Sequence, residues 1–420
     1  MRLVLVWLLL ALSTACSRER PGLPPRHLLL VTIENLRADH LSAYGYAKPT
    51  GMLPSDPTAR LEGRVFALDE LAAQGVVFAQ AFAPSDLALP SLASLFTARA
   101  PLALGVMDNH SRVARSVPVL GELAARSGMR TAAFVSSSTN HLDALGRGFE
   151  TAHWVANDEL ACTRLREWLR QDFGDHKPTL IWLHLSDLAG CSDDPALYDE
   201  ALRALNRRLS EALASAFDYQ TRGTESTEFL ARTCMVIAGL NGHALAGEGT
   251  AASFAHSEGA LRVPLILRHP DSLTGERVLG TPVELVDVLP TLMDLFAWER
   301  PAVMEGHSLL GLTDARRLGE YPERALITQT RARVLTARTR AWRMVWNPYR
   351  ARLPESDPLR QRPELELFAV LGNQVAEQDT AGLQPAVVAD LKARMTAWVL
   401  AHLPPPTLPL EGTRLRETTP

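Results

Sequence analysis

The chain has 420 residues, 46% of them hydrophobic, enough for one large buried core with a smaller unit beside it. Its 43 basic and 47 acidic residues leave a formal charge of −4, and no Lys/Arg run stands out, which argues against nucleic acid as the main partner. Of the basic residues only Lys48, Lys177 and Lys392 are lysines, a scarcity that bears on phosphate and sulfate sites, many of which rely on one.

At the N-terminus Arg2 is followed by an apolar stretch, Leu3 to Leu12, too short to span a bilayer. Small residues Ser13, Thr14 and Ala15 then lead to Cys16. The pattern resembles a bacterial lipoprotein signal over residues 1–16, with Cys16 as the lipidated first residue of the mature chain. An ordinary cleaved signal with an incidental cysteine is the alternative, and the placement of Cys16 favours lipidation. Either way the mature chain is expected outside the cytoplasm, and Ser17 after the cysteine points by resemblance to the outer membrane facing the periplasm. Residues 17–26 are polar and Pro-rich and read as a tether. Cys162, Cys191 and Cys234 remain; they allow at most one disulfide and match no zinc spacing, so core thiols are the default.

Short apolar runs follow, at residues 27–33, 131–136, 179–185, 235–240 and 263–268, each bounded by turn signals. Continuous rather than alternating apolarity predicts strands covered on both faces, as in a mostly parallel sheet. Helix-like stretches lie between them at 67–76, 117–128 and 195–213, and another begins near Pro90. The alternation predicts an α/β layered domain over residues 27–312. From there to residue 403 the chain becomes arginine-rich and strand-like and closes in a helix over 385–403, a small C-terminal α+β subdomain; residues 404–420 read as a tail.

In such sheets ligands sit beyond the carboxyl ends of the strands. Here those ends carry Glu34-Asn35, His184 to Gly190 and Leu240 to His243. VTIENLRADHLSAYGY (31–46), LALPSLASLFT (87–97), RTAAFVS (130–136), LRVPLILR (261–268), ELVDVLPTLMDL (284–295), EGHSLLGL (305–312) and LELFAVLGNQVAEQDTAG (365–382) follow one another in an order that resembles the sulfatases of the alkaline-phosphatase superfamily. The resemblance implies that family's fold. It also implies a divalent cation, Ca²⁺ or Mg²⁺, held by carboxylates, a histidine and an amide, and a formylglycine, Ser or Thr nucleophile.

Carried over residue by residue, the chemistry is missing. The nucleophile falls on Ala88 and the following Arg or His on Leu92. The family's first carboxylate pair falls on Glu34 and Asn35, and its Asp-His-Gly-Glu segment falls on Leu240, Asn241, Gly242 and His243. An Asp-Pro-His element reads Asp187-Leu188-Ala189, and Ser136 stands at a catalytic lysine position. That leaves Glu34, Asn35 and Asn241 as candidate metal ligands and Glu34, Asn35, Asp187, Asn241, His243 and His256 as cleft candidates; no cofactor is expected unless this residual site functions. Ser91 and Asp86 lack an activating base and read as a helix opener and a solvated turn residue, while Arg37 and Asp39 read as an ion pair holding their loop. Asp108-Asn109-His110 is consistent with a ligand contact or a turn.

The leading expectation is therefore an inactive sulfatase-like lipoprotein that binds an anionic small molecule or an envelope protein and meets the membrane only through its lipid. Two alternatives stay open: a metal-dependent sulfuric or phosphoric ester hydrolase with a rearranged site, and an envelope interaction module docking through its arginine-rich C-terminal part.

Overall fold

The computed structural model describes residues 25–53, 66–136, 142–171, 177–220, 232–248, 255–269, 273, 277–330 and 332–403. Cys16, most of the tether and the tail lie outside these residues.

The central sheet has eight strands in the order β5-β4-β6-β1-β7-β8-β2-β9. In chain order these are β1 (His27–Ile33), β2 (Val76–Phe78), β4 (Arg130–Ser136), β5 (Thr151–Val155), β6 (Thr179–Leu185), β7 (Thr233–Gly239), β8 (Leu265–Arg268) and β9 (Arg277–Leu279). The five strands from β5 to β7 are mutually parallel, and all seven residues of β1, β6 and β7 are buried. Their unbroken apolar runs are explained by cover on both faces. β8 runs antiparallel to β7, so the run at 263–268 is an exception to the parallel core.

Alternate residues of β1 enter two different cores. Leu28 and Leu30 join Leu180, Trp182 and Val236 beneath α2 (Ala88–Thr97), α3 (Leu120–Arg126) and α6 (Val288–Phe296). Leu29, Val31 and Ile33 join Ile181, Leu183 and Ile237 against α1 (Leu68–Gln74), α4 (Asp158–Gln171) and α5 (Pro195–Gln220). Thr32 therefore faces the α2 layer by the period of two. α4 is fastened to the end of β6 by a reciprocal exchange. Ser186 donates its N–H to Asp158 at 2.8 Å, and Asp158 donates its own N–H to Asp187 at 3.1 Å.

A second, antiparallel sheet holds β11 (Leu326–Gln329), β12 (Leu335–Arg338), β13 (Trp342–Trp346), β14 (Leu365–Leu371) and β15 (Gln374–Val375). One face packs through Ile327, Leu335, Met344 and Leu367 on Leu391 and Met395 of α7 (Pro385–His402). The other meets the central domain where Leu326 joins Phe82 and Leu261. Phe82 belongs to β3 (Ala81–Phe82), a two-residue strand paired parallel with β10 (Val283–Glu284).

The junction behind β10 is rich in buried charge. Asp287 accepts from the Tyr321 hydroxyl at 2.7 Å, the His307 N–H at 2.8 Å and the Arg324 guanidinium at 2.6 and 2.8 Å. Glu284 beside it is buried, and that burial pushes its carboxyl up to about 8, with Arg324 opposing and Asp287 adding to the shift. A carboxyl whose folded value is raised contributes stability below its unfolded value and loses it as pH rises through the folded one. As pH rises from about 5 towards 8, Glu284 alone lowers stability by about 1 kcal/mol per pH unit. Urea unfolding at pH 6.5 and 8 is expected to show this slope in the native chain and its loss in Glu284→Gln.

Candidate functional site

α2 begins two residues before Pro90. Its N-cap is Leu87, which offers no side-chain acceptor, and all ten residues Ala88–Thr97 are buried. Pro90 occupies the third position, where its missing N–H would have had no partner within the helix. The amide of Asn109 supplies the cap instead, accepting from the Leu89 N–H at 3.1 Å. That accounts for the middle member of the Asp108-Asn109-His110 cluster as helix chemistry. The Ser91 hydroxyl donates to the Ser85 carbonyl at 3.1 Å. Asp86 is buried rather than a solvated turn residue. Ala88 is only 5% exposed and Leu92 fully buried, so the positive end of α2 presents a methyl group at the position that the sequence resemblance assigns to a nucleophile.

The turns after β1 and β7 meet beyond their neighbouring strand ends. Asn35 takes a left-handed conformation (φ 55°), which Asn tolerates better than most side chains. Its N–H donates to Asn241 Oδ1 at 3.1 Å, and Asn241 Nδ2 donates to Asn35 Oδ1 at 3.3 Å. The Asn35 amide also donates to Nδ1 of His243 at 3.2 Å. With Nδ1 accepting, the imidazole is neutral and its Nε2–H faces the Ser192 carbonyl at 3.3 Å. Burial, then Arg37, draws His243 below the usual histidine range, which agrees with that tautomer. Tyr198 of α5 stacks on the imidazole at 5.3 Å and donates its hydroxyl to the Asn35 carbonyl at 2.8 Å. Glycine is required at 242, since a Cβ there would sit 1.6 Å from the Gly259 carbonyl oxygen.

Glu34 is fixed by a directional chain on the α2 face. Trp182 donates Nε1–H to the Thr32 hydroxyl at 2.9 Å, which leaves that hydroxyl to donate to His184 Nδ1 at 2.9 Å. His184 then donates Nε2–H to Glu34 Oε1 at 3.1 Å. Thr32 and His184 are register partners on adjacent strands, so the pairing of β1 with β6 builds this chain. The sequence places His184 at a strand end without marking it as a cleft residue, because it sits inside an apolar run; polar residues near the ends of two buried strands, Thr32 and His184, were the available signal.

Glu34, Asn35, Asn241 and His243 thus come together, whereas Asp187 and His256 belong to other networks. Asp187 receives the Asp158 N–H and pairs with Arg208 at 3.0 Å. The His256 carbonyl accepts from Arg343 of the C-terminal sheet. Arg37 grips Asp39 (2.7 Å) and Glu248 (2.6 Å) and also donates to the His243 carbonyl, the loop-holding role expected of Arg37 and Asp39. Cys162, Cys191 and Cys234 are free thiols, and burial pushes Cys191 up to about 11; its thiol donates to the Leu188 carbonyl at 2.9 Å, close to His243.

The donors fit a divalent cation poorly. One carboxylate oxygen already accepts from His184, and each amide oxygen accepts from the opposite asparagine. Leu240, next in the β7 turn, is core. Hard cations take six or more oxygens, several of them charged. Among the described residues no three His, Cys, Asp or Glu side chains form a group able to hold an ion.

The family model described as Sulfatase matches residues 26–215, from β1 into α5 and across the helix bearing Ala88. This segment is similar to the sulfatase family. Arylsulfatase D of Homo sapiens is 42% identical over 69 residues, 15% of this chain and 12% of that protein. Delta 4,5-hexuronate-2-O-sulfatase of Bacteroides thetaiotaomicron is 28% identical over 149 residues, 34% of this chain and 26% of that one. The matched segments thus span about an eighth and a quarter of these curated sulfatases. The solved structure of a 2-O GAG sulfatase has the same fold across 90% of this chain and 93% of its own, at a TM-score of 0.67 and 16% identity. The sulfatase fold therefore extends through the C-terminal sheet, beyond the segment that the family model matches.

Thr32 holds the Glu34 chain together. Thr32→Val would leave buried Trp182 Nε1–H and His184 Nδ1 unpaired, at a cost of about 1–3 kcal/mol. Urea denaturation is expected to show that loss and its partial recovery in Thr32→Ser.

Proposed function

We propose that the chain is a catalytically silent sulfatase-like protein of the bacterial cell envelope, anchored by lipid at Cys16 and binding an acidic ligand or a protein partner. The reading rests on one observation above the rest: at the N-terminus of α2 the sulfatase scaffold carries Ala88, buried with Leu92, in the nucleophile's place. Ester cleavage in this fold needs an attacking atom and a cation that holds it and neutralises the developing charge. Ala88 lacks the first, and the mutually paired Asn35 and Asn241 offer little to the second.

Location follows from the N-terminal pattern. Among the described residues no helix is long and apolar enough to cross a membrane. The attachment we propose is the lipid at Cys16, in the outer membrane facing the periplasm.

A second reading has its own support in the meeting of Glu34, Asn35, Asn241 and His243. On it, these residues form a rearranged cation site and the protein hydrolyses sulfuric or phosphoric esters. The two separate cleanly. The purified chain with Mg²⁺ or Ca²⁺ is expected to cleave neither p-nitrophenyl sulfate nor p-nitrophenyl phosphate above a protein-free blank. Ala88→Thr alone is expected to stay inactive, because the cation's ligands are missing as well. Metal-dependent turnover that disappears in Glu34→Ala would overturn the first reading and establish the second.

A further inference from the structure

Arg338 of β12 and Arg343 of β13 are direct cross-strand partners. Like charges in that position repel, and these two are also withdrawn from water, with side chains 5% and 13% exposed. Burial pulls both guanidinium groups below the usual arginine range. Such a pair calls for two balancing anions, yet one carboxylate serves both: Glu258 Oε1 lies 3.2 Å from Arg338 and 3.4 Å from Arg343. Glu366, which also acts on Arg343, is engaged by Arg362 at 2.9 and 3.1 Å. The remaining contacts of the two arginines are neutral: Gln80 Oε1 for Arg338, the His256 carbonyl for Arg343, and the faces of Phe82 and Phe368. Arg338 Nε, a buried donor, has no hydrogen-bond partner.

This surplus positive charge borders a cavity between the central domain and the C-terminal sheet. It is lined by Phe82, Glu258, Thr328, Thr336, Arg338 and Arg343, with enclosed room for about one water-sized atom. Thr328 and Thr336 are register partners, so two hydroxyls share the wall with the guanidinium groups. Phe82 and Ala83 lead directly into the turn whose Asp86 carbonyl faces Asn241, which places the cavity beside the degenerate cleft.

We propose that this cavity is an oxyanion site, in which one oxygen of a carboxylate or sulfate group on a small acidic ligand enters between Arg338, Arg343 and the Thr336 hydroxyl, while the Thr328 hydroxyl donates to the Ala83 carbonyl. Planar guanidinium forks suit such groups, and the ion supplies the second negative charge that the pair lacks. Glu258 competes with it for the same donors. The inference deepens the proposed function by seating the acidic ligand outside the old nucleophile position, and rests on that reading only for the ligand's acidity.

The full chain is titrated with millimolar sodium sulfate and sodium acetate, against sodium chloride at equal ionic strength, by calorimetry and thermal unfolding. Sulfate at high concentration stabilises most proteins by exclusion, so a saturable signal is the informative one. One of the two oxyanions is expected to bind saturably where chloride does not, and the one that binds identifies the group. Arg343→Met is expected to weaken it at least about tenfold and Glu258→Gln to tighten it about tenfold. The proposal is overturned if neither oxyanion exceeds chloride, or if a folded Arg343→Met binds as well as the native chain. If Arg343→Met does not fold, unchanged affinity in Glu258→Gln overturns it, because a purely structural ion pair predicts no tighter binding. Ester turnover by the native chain would sink the silent reading and leave these titrations unaffected, so the two failures are distinguishable.

Discussion

The reciprocal amide pair between Asn35 and Asn241 joins the turns after β1 and β7, adjacent strands in the middle of the sheet. Everything peculiar to the cleft follows from its neutrality. Two carboxylates in those positions would repel across about 3 Å unless a cation lay between them. Two amides need no ion, because each carries a donor and an acceptor and the pair satisfies itself. Tyr198, His243 and the Arg37 clamp then close around this junction through hydrogen bonds of their own. The sulfatase fold is kept, and on the reading proposed above the pair stands in for a cation's ligands.

Glu34 is the carboxylate that directly follows β1, and its surroundings fix it from within the sheet. The chain Trp182–Thr32–His184 aims a hydrogen bond at it from inside the sheet. That chain orders the strand ends whether or not anything binds. The buried charges at β10 and the arginine pair at β12 and β13 differ in this respect. Asp287 is satisfied by four donors, whereas Arg338 and Arg343 divide one carboxylate between them. A saturated network serves the fold; an unsaturated one invites a ligand.

Much of the architecture was legible in the sequence because buried parallel strands write continuous apolar runs. β1, β6 and α7 fall where those runs and the closing helical pattern place them. The ordered motif blocks carried the resemblance to sulfatases, and the residue at position 88 carried the expectation that the nucleophile is missing. What stayed hidden were contacts set by register and by long-range packing. His184 looked apolar by context, and its partner Thr32 lies 152 residues away in the chain. The Arg338–Arg343 opposition needs the hairpin register, and Glu258 reaches it from another part of the chain. Asp187 was assigned to the cleft from its place after a strand and His256 from its place ahead of the 263–268 run; the Asp187 side chain turns to Arg208, and the His256 backbone carbonyl accepts from Arg343. The helix expected near Pro90 begins two residues earlier, at Ala88, since a helix's first turn tolerates proline and the residue alone does not fix the first position.

The central claim is that this sulfatase scaffold holds no catalytic cation. Elemental analysis of the full chain after equilibration with millimolar Ca²⁺ and Mg²⁺, followed by rapid removal of free ions, tests it most directly. The account predicts far less than one ion per chain, with no difference between the native protein and Glu34→Ala. One tightly held ion per chain, lost in Glu34→Ala, would contradict it.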